Sequence, residues 1–411
     1  MKLIHFIISL FLSFSSFSQL TEVSPESVGM SSERLKRITN LSNQYIDDYN
    51  IPGLITIVSR KGKIVYNKAF GNRGPERKKK LDKNDIFRIY SMSKPIAGVG
   101  IMQLYEKGKF QLNDPITKFL PELKDLKIMS EDGQMEELEK EITMHNLLTH
   151  TGGFTYGFSN HPVDKLYSEE NLFLSKDLDE FIKKVSKLPL INQPGKKFTY
   201  SIAVDLTGLI IERISGKSLE KYYNDHIFSL LGMEDTFFKV PKNKRKRFVT
   251  RYKFDDTDSV VKFPSVKNQA MGDYINESMY SAGGGLVSTA IDYMKFAECL
   301  RNGGKYNGVQ ILSPKIVKFM TSNHLESVTS LPPRSKSFGF GIGVGIVTNS
   351  IENKIVGSDG EYYWQGPSSM FWVDPVEEII VVSMFQIHGT PFDKRKDIKI
   401  ATYQALTESY Q

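Results

Sequence analysis

Hydrophobic and polar positions alternate at both ends of the chain and take helical spacing through its middle. A helix is predicted from about Ser31 to Tyr49, capped by Ser31 or Ser32. Gly53 to Arg60 and Lys63 to Phe70 are alternating runs that meet at Lys61-Gly62, the pattern of a β-hairpin. Apolar and β-branched residues then lead to Ser91, and Ile96, Val99, Ile101, Met102, Leu104 and Tyr105 recur beyond it at helical spacing. The middle reads as helix and loop: a short helix opened by Asn113-Asp114-Pro115, then Met144 to His150, Leu172 to Leu188, Ser201 to Ile214 and Leu219 to Leu231. Strand character returns at Gly339 to Val347, Asn353 to Val356, Ser368 to Val373 and Glu378 to Phe385, and Lys394 to Leu406 closes the chain as a helix. The expectation is an α/β fold with one mixed, largely antiparallel sheet drawn from both chain ends. Residues 19–105 and 275–411 would form the α/β lobe and 106–274 an all-helical lobe.

The first residues stand apart from this plan. Lys2, the apolar run Leu3 to Leu12 and the small-residue stretch ending Ser16-Phe17-Ser18 have the layout of a secretory signal peptide, with cleavage expected before Gln19. No later stretch is long and apolar enough for a membrane span, and no cysteine lies near the cleavage site to carry a lipid. The expected location is periplasmic or secreted. Cys299, the single cysteine, forms no internal disulfide and falls in an amphipathic helical pattern, as a small buried hydrophobe would. The net charge of +7 owes much to Arg77-Lys78-Lys79-Lys80 and to the run from Lys242 to Arg247, both expected as solvated loops. Nothing resembles a nucleic-acid-binding module.

Candidate chemistry centres on Ser91 and Lys94. The serine sits where an extended segment becomes a helix, so free N–H groups and the helix dipole face whatever it attacks. Three residues on, Lys94 shares its helix face and is a candidate base. Spacing alone is weak, since Ser-x-x-Lys also occurs at Ser218/Lys221 and Ser259/Lys262; the strand-then-helix context singles out the first copy. Tyr200 follows the turn Gln193-Pro194-Gly195 and is placed to shuttle a proton if held near Lys94, or else to pack. The segment Gly360 to Trp372 offers aromatics for an apolar pocket wall and a backbone N–H near Gly366 for an oxyanion hole, or an ordinary hairpin with a packed face. No Gly-x-Ser-x-Gly elbow is present, His150 reads as structural, and His145 and His150 lack metal-ligand spacing, so neither metal nor cofactor is expected.

Taken in order, Ser91-x-x-Lys94, Tyr200-Ser201 and the late aromatic-Gly strand resemble the serine β-lactamase-related family of class C type, which includes penicillin-binding carboxypeptidases, D-aminopeptidases and carboxylesterases. Supporting segments are Asn146-Leu147-Leu148-Thr149-His150-Thr151-Gly152-Gly153, Ser281 to Thr289 and Phe371-Trp372-Val373-Asp374-Pro375, so the resemblance spans nearly all of the chain after the leader. It implies a β-lactamase/transpeptidase-like fold with the site between its lobes. It further implies that Ser91 is acylated, Lys94 activates it and Tyr200 is a general acid/base, with the Ser91 N–H as one oxyanion donor.

The second donor depends on the register of the late strand. Matching Trp364-Gln365-Gly366 to the family's Lys-Thr-Gly puts the donor on Pro367, which has no N–H. Counting back from Phe371-Trp372-Val373-Asp374-Pro375 puts Tyr363 at the lysine position and makes Gly366 the donor, the register preferred here. Two departures bear on substrate. Ile202 replaces the asparagine of the family's Tyr-x-Asn, and Tyr363 or Trp364 replaces the lysine that pairs with a substrate carboxylate. A lost charge-assisted hydrogen bond of roughly 1.5–3 kcal/mol disfavours anionic substrates. The expectation is a secreted carboxylesterase acting on small neutral acyl esters, with small-molecule ester or amide substrates, no nucleic acid and no stable membrane anchor. The alternatives are a β-lactamase or D-amino-peptide hydrolase, and a non-hydrolytic penicillin-binding sensor.

Overall fold

The computed structural model describes residues 20–74, 78–264, 271, 273–275, 279–326 and 337–410. The leader expected over 1–18 lies outside them, as does Arg77 of the first basic run. Helix α1 (Ser32–Tyr49) starts where the Ser31 side chain accepts from the Arg34 N–H at 3.2 Å, and it ends at left-handed Asn50. Strands β1 (Gly53–Arg60) and β2 (Lys63–Arg73) are joined through Lys61 and Gly62, both at positive φ (52° and 72°), the turn that matches the twist of a two-residue hairpin. A short β3 (Lys79–Lys80) follows, and then the chain enters α2 (Ser93–Glu106).

In the middle of the chain lies α3 (Ala203–Ser215), and α4 (Ala290–Arg301) leads back toward the sheet. The late elements are β4 (Phe338–Phe340), β5 (Gly345–Val347), β6 (Tyr362–Gly366), β7 (Ser369–Asp374), β8 (Ile379–Phe385) and α5 (Lys394–Tyr403). The sheet order is β4-β5-β6-β7-β8-β1-β2-β3, so β1 pairs β8 across nearly the whole sequence. The sheet, expected as mixed and largely antiparallel, is antiparallel at each of these pairings. Period-two alternation sorts the strand side chains between two cores. Ile55, Ile57, Phe371, Val373 and Val382 face α2 and α4, whereas Leu54, Val58, Trp372, Val381 and Phe385 face α1 and α5. Each fully buried aliphatic side chain contributes about 1.5–3 kcal/mol.

Helix α2 carries the site's lysine, and residues 93 to 104 are buried all round it. Close approach sets its place: a Cβ at Gly98 would lie 2.6 Å from the Ile342 carbonyl oxygen, so only glycine lets the β4–β5 turn rest on the helix.

Several elements differ from expectation, each for a local reason. Asn353 to Val356 is not a strand; Asn349 accepts from the Glu352 N–H at 3.0 Å and caps a short helix, Ser350–Asn353, that stops at left-handed Lys354. The single helix expected over Leu172 to Leu188 divides into a turn at Leu172–Leu174 and a helix at Leu178–Val185, because Asp177 caps the second at 2.8 Å. Gly339 to Val347 folds back on itself as β4 and β5. The basic run Lys242–Arg247 is a 3-10 turn, not a free loop: Lys244 and Arg247 reach Asp235 at 2.8 and 2.6 Å.

Candidate active site

A short ladder, Phe87–Arg88 against Val287–Ser288, delivers the chain to the site. The backbone then reverses at Tyr90, a non-glycine residue at φ 44°, and Tyr90–Met92 form a 3-10 turn before α2 begins. A left-handed side-chain-bearing residue costs about 1–2 kcal/mol, so the surroundings must hold this turn. Because of it the Ser91 N–H leaves the ladder and makes no hydrogen bond among the described residues.

Three predicted residues converge. Tyr200 Oη donates to Ser91 Oγ at 2.7 Å, and Lys94 Nζ lies 3.4 Å from the same oxygen. Buried Lys94 also donates to Tyr156 Oη at 3.1 Å and to the Gly283 carbonyl at 2.7 Å, so its three donors meet three acceptors. The ammonium also lies 4.7 Å from the Tyr200 ring centre and 5.2 Å from that of Tyr156.

The structure adds two supporting groups to which the sequence gives no catalytic role. Tyr156, which the sequence marks only as an aromatic after Thr151-Gly152-Gly153, is kept protonated: burial first, then Asp205 and Tyr200, push its pKa well up. Asp205, in the first turn of α3, is fully buried, and it accepts from Ser281 Oγ at 2.6 Å and from the Gly283 N–H at 3.1 Å. Burial raises its pKa while Ser281 and the Lys94 charge pull it down. Asp205 thereby fixes the loop whose Gly283 carbonyl holds Lys94.

His150 sits behind Tyr200, its ring 5.1 Å away, and its Nδ1 accepts from the Ser201 N–H at 3.2 Å. That bond puts the proton of the neutral ring on Nε2. Burial, then the Lys94 charge, hold its pKa well below the usual histidine range. Below pH ~6.5 the unfolded chain therefore takes up a proton that folded His150 refuses; the stabilisation is full above that pH and lost as pH falls. For His150→Gln, urea unfolding at pH 7.5 and 5.5 should show a gap smaller by about 1.4 kcal/mol than in the wild type.

Late-strand geometry corrects one expectation. The Val347 N–H donates to the Glu361 carbonyl at 2.8 Å and the Phe385 N–H to the Ser368 carbonyl at 2.7 Å. Alternation along β6 and β7 then turns the main-chain groups of Gly366 and Ser369 toward each other across the Pro367-Ser368 turn. The Gly366 N–H thus faces the ladder and not the pocket, where it was expected as an oxyanion donor. Gln365 has the outward-facing N–H, beyond the end of β5. Gly366 packs closely there instead: a Cβ would lie 3.0 Å from the Ile89 carbonyl oxygen and 3.1 Å from Tyr90 Cβ and would press on the Tyr90 turn. Tyr363 and Trp364 point to opposite faces of β6. Trp364 stands 5.6 Å from the Tyr200 ring, and the Arg395 guanidinium stacks 3.4 Å above the Tyr363 ring.

These groups open on a pocket of about 800 Å³ walled by Tyr156, Phe158, Phe173, Phe198, Phe338 and Trp364. Among its described lining residues Arg395 alone is charged. No cluster of three or more metal-ligating side chains occurs among the described residues, and no described helix is long and apolar enough to cross a membrane.

The chain is similar to known proteins along most of its length. Residues 38–405 match the sequence profile of the family described as Beta-lactamase. Esterase EstB of Burkholderia gladioli is 30% identical over 213 residues, covering 51% of this chain and 53% of EstB. A D-alanyl-D-alanine carboxypeptidase-like protein of Escherichia coli K12 is 25% identical over 433 residues, covering 96% of this chain and 94% of its own. Among solved structures, EstCE1, described as a hydrolase with promiscuous acyltransferase activity, has a TM-score of 0.75 at 25% identity, covering 90% of this chain and 99% of EstCE1.

Proposed function

The chain belongs to the Beta-lactamase family of serine hydrolases, with its β-lactamase/transpeptidase-like fold, and from that premise we propose a carboxylesterase that forms an acyl-enzyme on Ser91 with small neutral acyl esters. The observation that carries the reading is the convergence of Lys94 and Tyr200 on Ser91 Oγ. Lys94 is the group that takes the Ser91 proton as Oγ attacks the ester carbonyl. The Ser91 N–H stabilises the oxyanion, Tyr200 passes a proton to the leaving alkoxide, and water then attacks the acyl-enzyme with the same groups in reversed roles. The aromatic pocket wall, Ile202 in place of an amide side chain, the esterase name of EstB and the acyltransferase activity in the description of EstCE1 support an ester substrate. The reading extends to export: removal of Met1–Ser18 would leave Gln19 first, which N-terminal sequencing of the exported protein checks.

Steady-state hydrolysis of short p-nitrophenyl esters beside a chromogenic cephalosporin tests the substrate. The kcat/KM for esters is expected to exceed that for the cephalosporin by roughly 10–100-fold, the worth of a missing carboxylate partner. Faster cephalosporin turnover would overturn the ester reading.

Arg395 favours a second reading, a D-amino-peptide hydrolase. Its guanidinium lies over Tyr363, its Nη2 reaches Glu361 at 3.3 Å, and its Nη1 has no partner among the described residues. A substrate carboxylate in the pocket would meet this cation. On that reading Arg395→Met lowers kcat/KM for carboxylate-bearing substrates about tenfold and leaves neutral esters unchanged.

A further inference from the structure

We infer that Arg251 is a positioning residue for the nucleophile: it fixes the Tyr90 phenol, and Tyr90 in turn aims the Ser91 N–H at the oxyanion. This rests on Ser91 being the acylated residue. With the Gly366 N–H turned into the ladder and no N–H on Pro367, the outward N–H of the late strand is that of Gln365, and the Ser91 N–H is the oxyanion donor that the nucleophile's own turn controls. The direction of its N–H is set by the left-handed backbone of Tyr90.

The Tyr90 side chain holds that backbone from a distance. Buried Arg251 donates from Nη1 to Tyr90 Oη at 2.9 Å. Its own place is fixed by Nη2 on the Pro264 carbonyl at 2.6 Å and by the Phe263 ring, 3.8 Å from its carbon centre. The Tyr90 ring is packed edge-on against His388 at 4.8 Å and Tyr274 at 6.2 Å. On the other side Gly366 lies against Tyr90 Cβ. The ring is thus clamped at both ends, and the charged hydrogen bond at its tip resists the relaxation that its φ favours.

The test is ester hydrolysis by Tyr90→Phe, Arg251→Met, Arg251→Lys and the double variant Tyr90→Phe/Arg251→Met. Rates are expressed per active site titrated with a fluorophosphonate, so that misfolded protein does not count. Tyr90→Phe keeps the ring and is the variant best able to fold. Each of Tyr90→Phe and Arg251→Met is expected to lower kcat about tenfold with KM unchanged. The double variant should be no slower than the worse single, since both remove one hydrogen bond. Arg251→Lys should recover part of the loss, and affinity for a boronic acid transition-state analogue should fall in step with kcat. Unchanged kcat per titrated site in Tyr90→Phe, or fully additive losses in the double variant, would overturn the inference. Ser91→Ala in the same assay reads the premise by itself: activity surviving there defeats the nucleophile assignment, not the Arg251 tether.

Discussion

Ser91→Ala is expected to lower ester kcat/KM by roughly 10⁴-fold, and Lys94→Met by about 10³-fold, measured on protein of unchanged circular dichroism. Both side chains meet at one oxygen, and neither is placed to act without the other. The double variant should consequently be no slower than Ser91→Ala, because groups that act as a unit do not add. Lys94→Arg should not restore activity. A guanidinium stays protonated and offers no lone pair, and the space between Tyr156 Oη and the Gly283 carbonyl is fitted to a single ammonium. Activity in Lys94→Arg comparable to wild type would remove lysine from the role of base.

The second large effect concerns stability. Arg60, at the end of β1, is fully buried, and its guanidinium donates to Glu377 Oε2 at 3.0 Å, the Gly29 carbonyl at 2.7 Å, the Glu377 carbonyl at 3.2 Å and the Glu408 carbonyl at 3.0 Å. Arg60→Met leaves the nearly inaccessible Glu377 carboxylate without its cation and takes a donor from three carbonyls, of which that of Gly29 keeps the Thr407 N–H at 3.0 Å. Breaking a buried pair from one side costs about 3–5 kcal/mol, which guanidinium chloride unfolding would read as a lower midpoint. The adjacent Lys61–Glu408 pair is solvent-screened, and Lys61→Met is expected to lower the midpoint far less than Arg60→Met.

What could be read from the sequence followed from strong local signals. Alternation on both sides of Lys61-Gly62 and the unbroken apolar runs of β7 and β8 located the sheet. The turn from strand to helix located Ser91. Caps were underweighted: Asn349 and Asp177 ended or divided elements that hydrophobic spacing alone would have joined or misassigned. The site residues that escaped notice are those whose role comes from tertiary placement. Tyr156, Asp205 and Arg395 lie far from Ser91 in sequence and carry no spacing signal that ties them to it. The facing of the Gly366 N–H was likewise hidden, because it depends on which neighbouring strand each rung of β6 meets.

The pairing of β1 with β8 also governs how the molecule is made. Leu54 meets Phe385, so strand β1 waits for its central partner from Leu54 onward while 331 further residues (385 − 54) are added. At 5–20 residues per second that is roughly 15–65 s of synthesis, during which the β1 edge is unpaired and its apolar faces are uncovered. Closing so long a loop is slow, and exposed strand edges invite association between chains. Export of an unfolded chain would postpone closure until all of it has crossed. Yield from cytoplasmic expression should accordingly respond more to temperature and holding chaperones than to any change within the catalytic pocket.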